Sequence, residues 1–220
     1  MRFRLTYQGE LRPTQRDPIG DKADPLAAHK HRIRKAFHLQ LKQLWATNKF
    51  LREHQLSRRT ALRPSRPIAD ENAYWGSEET LEPMAEVVAD MYREQGYRFV
   101  PLVREAISVL CSLEILFLRR DIPGSAVSAG DLDNRLKTVI DALRRPRHPN
   151  ELVGYENPAE GEDPFYCLME DDSQVSHLLV ETDTLLEPPS AVGKNNQLAH
   201  LVITVEIKPY YVTNFNLSFS

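Results

Sequence analysis

From Ala106 to Leu118 the chain alternates: Ile107, Val109, Cys111, Leu113, Ile115 and Phe117 fall on one side, Ser108, Ser112 and Glu114 on the other. Only an extended backbone puts every second residue on one side, so this stretch predicts a central strand with one buried face. The residues after it constrain the fold further. The turn Asp121-Ile122-Pro123-Gly124 and the small residues Ser125 to Gly130 lead into Asp131, which predicts the N-cap of a helix reaching about Arg144. Leu132, Leu136, Val139, Ile140 and Leu143 make the apolar stripe of that helix, and Asp133, Lys137 and Asp141, spaced by four, stack on another face. Gln174 to Asp183, with Val175, Leu178 and Val180, reads as the next strand, and Leu201 to Lys208 as the last.

The flanks add helices. Arg2 to Tyr7 predicts a first strand with Phe3, Leu5 and Tyr7 on one face, and Gly9 to Pro25 a loop. From Ala28 to about Gln55 the residues Ile33, Phe37, Leu41, Leu44 and Phe50 recur at helical spacing. Leu81, Met84, Val87, Val88, Met91 and Tyr92 predict a second helix starting near Ser77 or Thr80, where Glu78, Glu79 and Glu82 suit the positive end of its dipole. The expectation is one α+β domain over residues 1–220, a small mixed or antiparallel sheet packed with helices. It has a helical elaboration at 28–104 and an insert at 144–169 before the second acidic cluster.

With 41% hydrophobic and 27% charged residues, the chain has the composition of a soluble globular protein. Its longest apolar stretch is interrupted by Ser108, Ser112 and Glu114, so neither secretion nor a membrane span is expected, and a cytoplasmic location follows. Cys111 and Cys167 cannot make a disulfide framework and are expected to be reduced and partly buried.

Two acidic clusters carry the chemistry. Asp131 and Asp133 stand about forty residues before Glu170, Asp171 and Asp172. A cap residue lies outside regular helical dihedrals, so the Asp131 carboxylate can turn to meet that of Asp133. Three consecutive acids repel one another unless they splay into water or share a cation. Carboxylate oxygens suit magnesium or manganese, ions that activate water and neutralise charge on a phosphate being hydrolysed. An ordinary N-cap, an i, i+4 ion pair and a solvated acidic turn would account for the same residues without a metal.

Residues 1–70 hold 16 Lys and Arg against 6 Asp and Glu, and residues 71–220 hold 12 against 25. Either the basic third meets a polyphosphate or the two halves neutralise each other internally. Candidate DNA contacts are Lys30, Arg34, Lys35 and Lys42 on the first helix, Arg58 and Arg59 in a basic connector that runs on through Arg63 and Arg66, and Arg119 and Arg120 after the central strand. Other constellations fail. Read as a calcium loop from Asp131, position six is Leu136 and position twelve Ala142. His29, His31, Cys111 and Cys167 lack zinc spacing, His177 reads as structural, and there is neither a glycine-rich phosphate loop nor a Gly-x-Ser-x-Gly elbow.

The pattern Asp131-x-Asp133-Asn134-x-x-Lys137-x-x-x-Asp141-Ala142-Leu143, followed by Asp171-Asp172-Ser173-Gln174-Val175, resembles the RusA family of Holliday-junction resolvases. The resemblance covers about Ile107 to Ile207 in element order: strand, Asp-bearing helix, Asp-Asp turn and strand, last strand. It implies a RusA-like fold and a magnesium- or manganese-dependent endodeoxyribonuclease, acting as a homodimer on branched DNA in recombination or repair. It further implies that Asp131, Asp133 and Asp172 bind the metal and that Lys137 assists the base or neutralises phosphate; Asp141 and Asp171 are supporting candidates. The chain departs from the family in the long Arg144 to Met169 segment, in the enlarged 28–104 region, and in arginines displaced to Arg119 and Arg120. The alternatives are a non-catalytic nucleic-acid-binding or assembly protein that keeps this fold, and a small-molecule or toxin-like enzyme that borrows the acidic site.

Overall fold

The computed structural model describes residues 1–14, 24–58, 80–119, 131–186, 198–213 and 216–219, the Asp131 side chain excepted. The expected turn 121–130, Arg59, Arg63, Arg66 and Arg120 lie outside the described residues, as does a helix start at Ser77. The fold is α+β: mixed sheets packed with four helices among the described residues. No described helix is long and apolar enough to cross a membrane.

The main sheet has the order β1 (Arg2–Glu10), β9 (Leu198–Pro209), β6 (Val109–Arg119), β8 (Val175–Thr184). β1 and β6 flank β9 antiparallel, whereas β6 and β8 run parallel, so the chain between them must cross over, and it does so through a helix. Alternation decides the faces. Val109, Cys111, Leu113, Ile115 and Phe117 of β6 and Ala199, Leu201, Ile203, Val205 and Ile207 of β9 are buried, while Glu114 between them is exposed. The central strand starts later than its pattern implies, because Glu105–Ile107 forms a 3-10 turn and Ser108 sits in the left-handed region at φ 52°. Ile107 is therefore only half-buried, beside the core instead of in it.

Helix α1 (Ala27–Thr47) buries Ile33, Phe37, Leu41 and Trp45, a stripe at i, i+4, i+8 and i+12, and packs against β1, β7 (Phe165–Met169) and the crossover helix. It is shorter than expected. Asn48 is extended, its N–H donates to the Leu44 carbonyl at 2.8 Å, and its side chain accepts from Leu51 N–H at 3.1 Å. One residue thus ends α1 and caps α2 (Lys49–Glu53). The second expected helix also starts late, as α3 (Met84–Met91) after Pro83. A residue before proline disfavours helical dihedrals, and Leu81–Pro83 pairs instead as β3 with β2 (Gln55–Ser57), leaving Leu81 exposed and not in the core. Helix α4 (Asp131–Leu143) is the expected crossover helix.

A second sheet, β4 (Arg93–Glu94), β5 (Tyr97–Val103), β7 (Phe165–Met169), lies where no strand was expected. β5 and β7 run parallel with Phe99 opposite Phe165 and Val103 opposite Met169. The 144–169 insert is thus part of the fold: its last residues form β7, which delivers the chain to the Asp-Asp turn and β8. Both cysteines are free and buried, and burial pushes each thiol up to about 12.

Candidate functional site

The Asp-Asp turn is built by its own side chains. Asp171 is the N-cap of a 3-10 turn over Asp172–Gln174, accepting from Ser173 N–H at 2.9 Å, and buried Gln174 accepts from the N–H of Glu170 at 3.1 Å and of Asp171 at 3.2 Å. This reciprocal box explains why Ser and Gln follow the two acids. The three carboxylates diverge in use. Glu170 faces away, accepting from the Tyr92 hydroxyl at 3.0 Å and from Glu105 N–H at 3.3 Å. Asp171 and Asp172 meet one cation: the same Arg147 nitrogen contacts Asp171 Oδ2 and lies 2.5 Å from Asp172 Oδ1. Burial works to raise the Asp171 carboxyl, but hydrogen bonds from Ser173 and the charge of Arg147 outweigh it and hold it below the usual carboxylate range.

Arg147 comes from the insert, and its main chain is fixed. Its N–H donates to Glu151 Oε1 at 3.0 Å. Glu151 is itself buried, bonded to Arg144 at 3.2 and 3.1 Å and 3.9 Å from Arg34. Arg144 also reaches Asp141 at 3.2 Å, Arg34 donates to the Asp141 carbonyl at 3.1 Å, and Lys30 joins Asp141 at 2.7 Å and Asp24 at 2.9 Å. Asp24, Asp141 and Glu151 thus balance Lys30, Arg34 and Arg144 in a buried, neutral cluster that ties α1 and α4 to the insert. Such charges are tolerated inside a protein only when paired. Burial draws Arg34 down to about 10 against the pull of Glu151; at Lys30 burial is overcome by Asp141 and Asp24, which raise it.

Two expectations are corrected here. Lys30 and Arg34 do not face solvent on a basic helix surface, being 3% and 1% exposed, and so are not available to DNA. Asp141 stands not beside a metal but between Lys30 and Arg144. The Asp133, Lys137, Asp141 face of α4 runs from solvent inward: Asp133 is exposed, Lys137 half-buried, Asp141 buried. Nor is the other face of α4 purely apolar. Arg135 is buried and donates to the Leu11 carbonyl, while Thr138 donates to the Arg12 carbonyl and meets the Thr14 hydroxyl, each at 2.8 Å.

The turn and Asp133 are not brought together. The chain after α4 joins the end of β7, where Arg144 bridges Met169 and Arg145 N–H donates to the Met169 carbonyl at 3.0 Å. The Asp-Asp turn therefore adjoins the last turn of α4, whereas Asp133 sits in its first, about 15 Å of helix away at the usual rise. Among the described residues no three His, Cys, Asp or Glu stand close enough to hold a metal ion. The described donors therefore do not fit a single ion shared with Asp133, and the Asp171–Asp172 pair is met by the Arg147 guanidinium. The Asp131 side chain lies outside the described residues.

Of the other basic candidates, Lys35 pairs with Glu162 at 2.6 Å, exposed Lys42 donates to the Gly161 carbonyl at 2.9 Å, and Arg58 bonds Glu82 at 2.6 Å and Asp90 at 2.8 Å. Arg119 is buried with its guanidinium over Phe117 at 5.8 Å. His177 is exposed on β8, opposite Ser112. Sequence reasoning assigned no role to Arg147 or Glu151. The signal was the cationic run Arg144-Arg145-Pro146-Arg147, which follows a helix and precedes the acids of the insert and of the Asp-Asp turn. No family model matches the chain, and neither does any curated protein or solved structure.

Proposed function

We propose that the chain is an endodeoxyribonuclease that hydrolyses phosphodiesters in branched DNA, with magnesium or manganese at the Asp171–Asp172 pair. The observation that carries the reading is the convergence of those two carboxylates on one cationic group, in a turn that follows a strand and an Asp-bearing helix in the order of the RusA-like motif. Carboxylate oxygens are the donors a hard divalent ion takes, and bound there it would activate water and neutralise phosphate charge.

The chain's own residues do the positioning. Ser173 and Gln174 orient Asp171, so that its second oxygen points the same way as Asp172. Because the turn is held by the Glu170 main-chain bond to Val103 and by Glu170 on Tyr92, it keeps its shape when its charge changes. Lys137, half-way along α4, would address a different phosphate of the same strand, since phosphates recur at about 3.4 Å of duplex axis per strand. Lys137 there neutralises backbone charge. A homodimer of such subunits, acting in recombination or repair, would present two equivalent turns to a symmetric junction.

A second reading is favoured by one observation: Asp141, Asp171 and Asp172 are all engaged in ion pairs, as they would be in a non-catalytic nucleic-acid-binding or assembly protein. Asp172→Asn separates the two. In a nuclease it removes at least about 100-fold of magnesium-dependent cleavage while the circular dichroism spectrum stays that of the parent. Cleavage at the parental rate in Asp172→Asn rejects the assignment, and DNA binding without cleavage in the parent favours the second reading.

A further inference from the structure

We propose that the outer edge of β8 is an interface with a second copy of this chain, the two β8 strands pairing antiparallel about a two-fold axis at Leu179. The inference gives the homodimer of the nuclease reading a face, yet it stands on the sheet edge alone and holds equally for a chain that cuts nothing. β8 closes the main sheet on one side, and among the described residues no strand pairs with its outer side. Such an edge presents a row of N–H and C=O groups that another extended backbone takes up in register. The opposite edge is not left so, because the Gln40 side chain covers β1 at Thr6. Nor does Val175–Thr184 hold a lysine or a proline, residues that commonly blunt an edge.

The side chains select the partner. β8 shares the buried face of β6 through Leu178 and Val180, opposite Leu113 and Ile115, but there the core runs out: Leu178 is 41% exposed and Val180 half-buried. On the other face Leu179 is 44% exposed. The run His177-Leu178-Leu179-Val180-Glu181 is complementary to its own reverse. Antiparallel pairing about Leu179 sets Leu179 on Leu179, Leu178 on Val180 twice and His177 on Glu181 twice, and opposed residues share a face. With the axis at Leu178 instead, His177 would meet Leu179; with the axis at Val180, Glu181 would meet Leu179. Of these registers only the first sets apolar on apolar and imidazole on carboxylate throughout. It joins the two main sheets into one, with Leu178 and Val180 of both copies carrying the core row across the seam. The shift of register between Cys111 and Ser112 makes Ser176 an extra residue and ends the seam at His177.

The test uses the full chain at about 100 µM, because a seam of this length falls among small interfaces, under about 1,200 Å², which associate weakly. Sedimentation velocity is expected to give a dimer for the parent and a monomer for His177→Glu, which sets carboxylate on carboxylate. The exchange His177→Glu with Glu181→His is expected to restore the dimer. Leu179→Cys is expected to form an intermolecular disulfide under mild oxidation roughly tenfold faster than Leu186→Cys, since thiols held at the axis meet at an effective concentration of millimolar order. Leu186 is 91% exposed, and the native Cys111 and Cys167 are buried and stay out of the reaction. A monomeric parent at this concentration overturns the inference. So does a dimer in which Leu179→Cys cross-links no faster than Leu186→Cys, which places the interface elsewhere. Either failure leaves the nuclease reading to the cleavage of DNA by the same chain.

Discussion

Asp141 shows how far a residue's role depends on depth. The spacing of Asp133, Lys137 and Asp141 marks one face of a helix, and it is correct about the face, but spacing does not report that the face dives into the interior. There Asp141 is the junction of the buried cluster. Asp141→Ala leaves Lys30 and Arg144 each short of a partner and should cost about 3 kcal/mol in urea unfolding; a loss below about 1 kcal/mol would show that the cluster does not hold the helices. His31 is the second such residue. It is fully buried in a box of Tyr155, Tyr97 and Phe165, with ring centroids 4.6, 5.8 and 5.9 Å away, and burial lowers its pKa to about 4. The unfolded chain takes up the proton first, so stability from the neutral ring is complete above the ordinary value near 6.5 and falls as pH drops towards 4, by about 3 kcal/mol. In His31→Phe this part of the pH dependence should vanish, and an unchanged slope would place it elsewhere.

Elements were legible where their period was clean. The alternation of β6 and β9 and the stripe of α4 fall within a few residues of where they were expected, because each buries one face; β8 also falls where expected, although it is an outer strand with no buried residue. β5 was illegible for the opposite reason. Phe99 to Val103 is buried without a break and contains Pro101, so no period of two survives and the proline argues against a strand. β7 is only five residues long and buried the same way. The acidic turn was legible as a charge cluster but not as a capped 3-10 turn; Asp171→Ala removes that cap and should cost about 1 kcal/mol, measured by thermal unfolding, while Asp172→Ala should cost less. Edge protection was also invisible in sequence. β1 is an outer strand, and the Gln40 side chain of α1 accepts from Thr6 N–H at 2.9 Å and donates to the Thr6 carbonyl at 2.8 Å, pairing with the free edge as a neighbouring strand would. Gln40→Ala should lose about 1 kcal/mol and favour self-association on concentration, followed by light scattering.

On the scale of the molecule, part of the division into a basic first third and an acidic remainder is met by ion pairs inside the fold among the described residues. Lys30 meets Asp141, Arg34 meets Glu151, Lys35 meets Glu162, and Arg58 meets Glu82 and Asp90, so cations of the first third and acids of the rest bind the fold together. A linear sequence could not reveal that its two acidic motifs would stand at opposite ends of α4, or that the nearer cation would come from the insert. The proposal that the turn closing this crossover cuts DNA is tested by incubating the full chain with end-labelled four-way, flap, nicked and linear DNA, in magnesium or in chelator, and resolving the products. Magnesium-dependent cleavage of the branched substrates is expected, with little on linear duplex. Intact substrates throughout, under conditions where the same chain binds them with salt-dependent affinity, would contradict it.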